Sequence, residues 1–165
     1  MEQYIRSLGE NQSGFHIKYR VGVSKFGRGT FTKQNIEKGT LVWNGVYGRN
    51  TRRFINEKEV RQWLAEMSND KDRKEWLRFP VVVDGGFELD MDDARFINHS
   101  PEPNMGYLSM EDTRSFALRD IKKGEELFED YNGYDYTISP PEWLSNLYLE
   151  YGIDESFVDS RYVRF

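Results

Sequence analysis

A β-rich α+β domain is the fold class this sequence predicts, on three observations. Phe15, Ile17, Tyr19, Val21 and Val23 alternate strictly with polar residues, the two-residue period of a half-buried strand. Helices are expected in only three short stretches, near 56–67, 70–79 and 139–151. Elsewhere short apolar runs are punctuated by Gly, Asn and Asp, and many short strands with few short helices make an α+β domain.

In chain order, residues 1–14 carry polar and Gly punctuation and read as an N-terminal arm. A strand is expected over 15–25, broken by Gly27 and Gly29. Short β segments follow at 30–34 and 41–43, separated by the turn Ile36-Glu37-Lys38-Gly39. Asn56 is placed to cap a helix, with Glu59 three residues on able to reach back. Val60, Trp63, Leu64 and Met67 then recur at i, i+3, i+4 and i+7 along one face. A second short helix at 70–79 stops at Pro80. Val81-Val82-Val83, Asp84-Gly85-Gly86 and Phe87-Glu88-Leu89 read as a hairpin, and strands are expected at 107–109 and 115–118. The last helix is expected to start at a capping box, Ser139 with Glu142 and prolines in the first turn. Its apolar face is Trp143, Leu144, Leu147, Tyr148 and Tyr151, and Gly152 ends it.

Composition narrows the partners. At 165 residues the chain is long enough for one domain with a real core. Its net charge of −5 and the lack of a basic stripe argue against nucleic acid and favour a basic partner. With no cysteine there is neither a disulfide nor a thiolate zinc cluster. Asp84, Asp90, Asp92 and Asp93 lack the spacing of a calcium loop and are expected in turns, helix caps or a negative rim, so no metal is predicted. Neither a signal peptide nor a membrane span is evident, which predicts a soluble, intracellular chain. Lys71 to Arg78 read as a solvated charged face. No P-loop or Rossmann fingerprint occurs, because Gly27-Arg28-Gly29 lacks the third glycine and the following helix.

Two strings carry chemistry. Residues 94–104 read A-R-F-I-N-H-S-P-E-P-N, where Asn98-His99-Ser100 line up donors and acceptors suited to a nucleotide-like ligand. Residues 124–132 read G-E-E-L-F-E-D-Y-N and set a phenol, Tyr131, on a segment that otherwise passes for a strand. Gly27-Arg28-Gly29, Phe31 and Ile36-Glu37-Lys38-Gly39 precede them. All three in this order resemble the SET-domain protein lysine methyltransferases, of the small stand-alone type without a Cys-rich zinc segment after the domain.

That resemblance implies a fold of small curved sheets around a C-terminal pseudoknot. It implies a SET domain over 15–135 with an insert at about 44–90 that selects substrate, and a C-terminal helix and tail, 136–165, that close the site. The implied reaction is methyl transfer from S-adenosylmethionine to a lysine in a basic protein segment. A histone tail is the leading substrate, which would place the protein in the nucleus. A non-histone protein, and a non-catalytic module that binds cofactor or lysine peptide, are the alternatives. A lysine amine with a free pKa of about 10.4 must lose its proton before attack, and an apolar channel favours that loss. Alignment then supplies up to roughly 7–11 kcal/mol.

Carried onto this sequence, the resemblance makes Tyr131 the catalytic residue. It places Gly27, Arg28, Gly29, Arg95, Asn98 and His99 with the cofactor, Arg95 as support for the loop. Tyr47, Tyr134 and Tyr136 become candidates for the lysine channel. Trp143 either stacks on adenine or anchors its helix in the core. Glu129 stands where many members have Phe or Tyr; strand alternation puts it on the Tyr131 face, in the channel mouth, or it points to solvent. The aromatic tail 156–165 either packs back on the domain or contacts a second copy in a homodimer.

Overall fold

In the computed structural model, residues 13–109, 112–133 and 138–154 are described. The chain forms a mixed α+β fold of four small sheets with short helices. It divides into two compact units, 13–51 with 90–133, and 52–89 with 138–154.

The first unit opens with a hairpin. β1 (Tyr19–Ser24) pairs antiparallel with β2 (Gly27–Thr32) in the register Tyr19↔Thr32 to Ser24↔Gly27. Phe15 stands outside the strand, bridged to Trp43. The glycines expected to break the strand lie inside β2. Gly27, at φ +103°, takes the turn conformation that side chains resist, and Gly29 continues the ladder opposite Gly22. β3 (Leu41–Asn44) pairs with β9 (Arg114–Ala117), which also carries β8 (Met105–Tyr107), giving the order β3-β9-β8. β8 begins two residues before the expected strand, because buried Met105 belongs to the core facing Ala117. The core of this unit is Ile17, Ile36, Val42, Trp43, Ala94, Ile97, Met105, Ala117, Ile121 and Leu127.

Two very short strands matter most. β7 (Asn98–His99) and β10 (Phe128–Glu129) pair in parallel, Phe128 with Asn98 and Glu129 with His99. This pairing brings together two strings that lie about thirty residues apart in sequence. The 3-10 turn Asp93–Phe96 precedes β7 and the 3-10 turn Tyr131–Gly133 follows β10.

The second unit is built on aromatics. α1 (Glu57–Ala65) is capped as the sequence predicts, Asn56 Oδ1 accepting from the Glu59 N–H at 2.9 Å. It buries Val60, Trp63 and Leu64. α2 (Asp70–Trp76) starts from Asn69 in the same way and is shorter than predicted. β5 (Val81–Val83) and β6 (Gly86–Asp90) form the expected hairpin, with Gly85 at φ +73°. A third strand, β4 (Thr51–Phe54), completes the order β4-β6-β5. Its residues T-R-R-F carry no apolar alternation, so nothing local announced it. A Cβ at Gly86 would lie 1.9 Å from the Phe54 carbonyl oxygen, so a glycine is required there.

The expected capping box at Ser139 does not form. α3 (Glu142–Glu150) begins after Pro141, which is extended, and has no side-chain cap. Residues before a proline are biased away from helix, and Pro140-Pro141 pushes the helix start past the reach of Ser139. Its other end closes as predicted: Gly152 sits at φ +61° and the Ile153 N–H reaches back to Tyr148 O at 2.8 Å. Leu144, Leu147 and Tyr148 are buried.

Candidate functional site

The parallel β7–β10 pair builds the site. The Tyr131 N–H donates to His99 Nδ1 at 3.1 Å, and the ring centroids lie 5.4 Å apart. Accepting at Nδ1 leaves the ring proton of a neutral His99 on Nε2. The Tyr131 hydroxyl donates to the Ile97 carbonyl oxygen. One phenol, one imidazole and the backbone of residues 97–99 are therefore tied into a single structure.

Asn98 is held still more tightly. Its Nδ2 donates to Arg28 O at 2.8 Å and to Glu126 Oε1 at 2.7 Å. This joins the Gly27-Arg28-Gly29 turn to both C-terminal strings. Asn104 serves the same joint from inside: Nδ2 donates to Glu126 O, and Oδ1 accepts from the Phe128 N–H. The three regions that resemble a family in sequence are thus in hydrogen-bonded contact.

Arg28 is exposed, with its guanidinium 4.2 Å from the centroid of Phe96. Arg95 lies 4.3 Å from the same ring, with 1% of its side chain exposed. Arg95 donates to Asp92 O and stands 3.7 Å from Asp93, so it supports the loop rather than offering a surface to a ligand. Burial draws its pKa down to about 10 against the pull of Asp93. Asp93 also accepts from the Tyr19 hydroxyl at 3.2 Å. Burial and that carboxylate push the Tyr19 phenol up to about 12.

Glu129 does not point to solvent. It is buried, its Oε1 accepting from the Ser115 hydroxyl at 2.6 Å. Burial raises the carboxyl to about 7, with the Ser115 hydrogen bond pulling the other way. Strand alternation cannot relate it to Tyr131, because β10 ends at Glu129 and Tyr131 opens a 3-10 turn.

Tyr47 is in the same unit, bridged to Thr51 and 57% exposed. Trp43 is core, with Nε1 donating to Asp92. Trp143 belongs to the other unit, where its ring stands 6.0 Å from Phe87. Tyr134, Tyr136 and the tail 156–165 lie outside the described residues, as does most of the arm 1–14.

Two residues of this region, Glu126 and Ser115, were not singled out from the sequence. Asp92 was expected in a cap, and it does cap the 3-10 turn at Ala94 N. It also accepts from Gly14 N, Trp43 Nε1 and Asn50 Nδ2, and no local pattern announces that. Among the described residues no group of three or more His, Cys, Asp or Glu could hold a metal ion. No described helix is long and apolar enough to cross a membrane.

Comparison with known proteins matches this region. A family model described as SET domain covers residues 27–132. The chain is 36% identical over 126 residues to the Drosophila melanogaster histone-lysine N-methyltransferase ash1, across 67% of this chain and 5% of that protein. It is 35% identical over 129 residues to the Homo sapiens histone-lysine N-methyltransferase 2B, across 69% of this chain and 4% of that protein. The chain thus spans a small fraction of the length of these relatives. Among solved structures, the methyltransferase domain of human histone-lysine N-methyltransferase SETMAR is similar at 26% identity and a TM-score of 0.46, over 73% of this chain and 46% of that one. Family membership rests on the model match and not on this last likeness. The matched span opens at the Gly27 turn, runs through Asn98-His99 and closes one residue past Tyr131, and the chain belongs to the SET-domain family.

Proposed function

We propose that this chain is a protein-lysine N-methyltransferase that takes its methyl group from S-adenosylmethionine. The observation that carries the reading is the placement of Tyr131, its hydroxyl on the Ile97 carbonyl and its N–H on His99. A phenol beside a backbone carbonyl presents both a donor and an acceptor to an amine. Fixed dipoles of this kind stabilise a transition state without reorganising during the reaction.

The residues present fit such a cofactor. When bound, S-adenosylmethionine supplies a methyl carbon on a sulfonium, open to in-line displacement. On this chain's side, Asn98 offers Oδ1 as an acceptor because both its N–H groups are engaged. His99 offers Nε2–H, and the turn at Gly27 adds backbone with open space where a side chain would stand. These groups hold the adenosyl and amino-acid ends, Tyr131 orients the lysine amine, and Tyr47 is the described candidate for a wall of its channel. Glu129, buried on Ser115, stays a candidate for the channel.

The parallel crossing of β7 and β10 supports the pseudoknot expected of the family. The acidic balance supports a basic protein segment as substrate, a histone tail first, with the nucleus as the compartment. The insert at about 44–90 supplies substrate selection, and the aromatic packing of Phe54, Trp63, Trp76 and Phe87 gives much of it a core of its own.

Incubation with methyl-labelled cofactor, core histones and cell extract tests the reading. Label on a lysine is expected, and cofactor affinity without any transfer would replace the enzyme with a binding module. Tyr131→Phe is expected to keep affinity for S-adenosylhomocysteine and to lose turnover by about tenfold or more. Wild-type turnover in that variant removes Tyr131 from the chemistry.

A further inference from the structure

We infer that Glu126 is a positioning residue that locks the amide of Asn98, and that Gly29 is a glycine to make room for that carboxylate. The inference rests on the proposed cofactor site, of which Asn98 is part.

Four observations converge on Glu126. Its Oε1 accepts from Asn98 Nδ2 at 2.7 Å. Its Oε2 accepts from the Ser24 hydroxyl at 2.9 Å. Its backbone is bridged to Phe31, and the next residue, Leu127, donates to Thr30 O at 2.7 Å. A Cβ built on Gly29 would lie 2.1 Å from Oε1 and 2.7 Å from the carboxyl carbon. The side chain thus runs across β2 at Gly29, which has no side chain to block it.

The consequence for Asn98 follows from donor counting. A primary amide has two N–H donors and one carbonyl acceptor. Here a carboxylate and the Arg28 carbonyl, both acceptors, face the same side of the amide. A flipped Asn98 would set its oxygen against both of them, so only one orientation is allowed. Oδ1 is left as the group a ligand meets, and it meets donors only. Neutralising Glu126 weakens this bias, because a glutamine there can turn a donor toward Asn98 and leaves the Arg28 carbonyl as the one acceptor that still opposes a flip. The Gly29 role also revises why the second glycine of the turn is small. Its missing side chain accommodates a protein carboxylate, whereas the φ of Gly27 is what requires a glycine at the turn.

Two measurements test this. In the ligand-free protein, both side-chain N–H protons of Asn98 are expected to exchange slowly with solvent, and in Glu126→Gln at least one is expected to exchange fast. Equal exchange in the two proteins overturns the lock, whatever the protein's activity. The second measurement is the Kd of S-adenosylhomocysteine in a double-mutant cycle. Glu126→Gln is expected to weaken binding about tenfold, the scale of one charge-assisted hydrogen bond, with kcat at saturating cofactor largely kept. In an Asn98→Ala background the same substitution is expected to add almost nothing. The same loss in both backgrounds would make Glu126 a general structural residue and overturn the proposal. Should Glu126→Gln fail to fold, Gly29→Ala displaces the carboxylate while leaving its charge, and the same cycle applies. Absence of wild-type affinity, with the exchange pattern intact, defeats the methyltransferase reading and leaves the lock itself standing.

Discussion

The two units of this chain are held by different physics. Every buried polar residue among the described ones falls in the unit formed by 13–51 and 90–133: Thr30, Thr32, Asn50, Thr51, Asp92, Arg95, Asn104, Ser115 and Glu129. The unit formed by 52–89 and 138–154 buries Trp63, Trp76, Phe54 and Phe87 instead. Its aromatic rings contact one another at centroid distances of 5.0 Å for Phe54–Phe87, 5.1 Å for Phe54–Trp63 and 5.7 Å for Trp63–Trp76. Its ion pairs, such as Arg61–Glu150 at 2.8 Å, sit on the surface. Apolar packing tolerates exchange among shapes of similar volume, whereas a buried polar network works only when every member finds its partner. The polar unit therefore carries the positional demands of a site, and the aromatic unit carries stability with fewer constraints on identity.

That contrast can be broken from either side. The largest effect is expected from Trp63→Ala, which empties the centre of the aromatic core and should cost about 3–5 kcal/mol in urea unfolding. A loss under about 1 kcal/mol would show that this core is loosely packed.

Next comes Glu129. Its carboxyl rises from the ordinary 4.5 to about 7 on folding. Between those two values the unfolded chain ionises while the folded one stays protonated, so stability falls as pH rises through this window and levels off above pH 7. The drop is roughly 3 kcal/mol. Glu129→Gln keeps the Ser115 partner, cannot ionise, and should remove this part of the pH dependence. Parallel stability–pH curves for the two proteins would mean that Glu129 ionises freely in the fold.

A smaller loss, about 2 kcal/mol, is expected for Asp92→Asn. The amide offers one acceptor where the carboxylate serves Gly14, Trp43, Asn50 and Ala94. Trp43 fluorescence in the variant should report the loosened indole, and an unchanged spectrum and midpoint would count against the shared anchor. Smallest of all is Arg61→Ala. It removes exposed bonds to Glu57 and Glu150 and should change stability by less than about 1 kcal/mol, and less again at high salt.

Much of this was legible in the chain. Asn56 announced α1 because a cap is a local event, one side chain meeting a backbone N–H three residues away. The 81–90 hairpin was legible for the same reason, with Gly85 in its turn. The three strings around Gly27, Asn98 and Tyr131 were legible because their residue types and order are retained in a family. Strand β4 was not, since T-R-R-F becomes a strand only by pairing with β6. The start of α3 was misplaced because a cap preference at Ser139 competed with a proline pair that restricts the backbone more strongly.

By itself, then, the sequence determined the class of fold, the short-range caps and turns, and the identity of the residues gathered at the site. Only the tertiary structure decided how those residues meet: that Glu129 turns inward to Ser115 and that Glu126 crosses Gly29 to hold Asn98. The physical reason is the range of the interactions involved. Propensity and capping act over three or four residues, while a buried carboxylate takes its partners and its pKa from strands far apart in the chain.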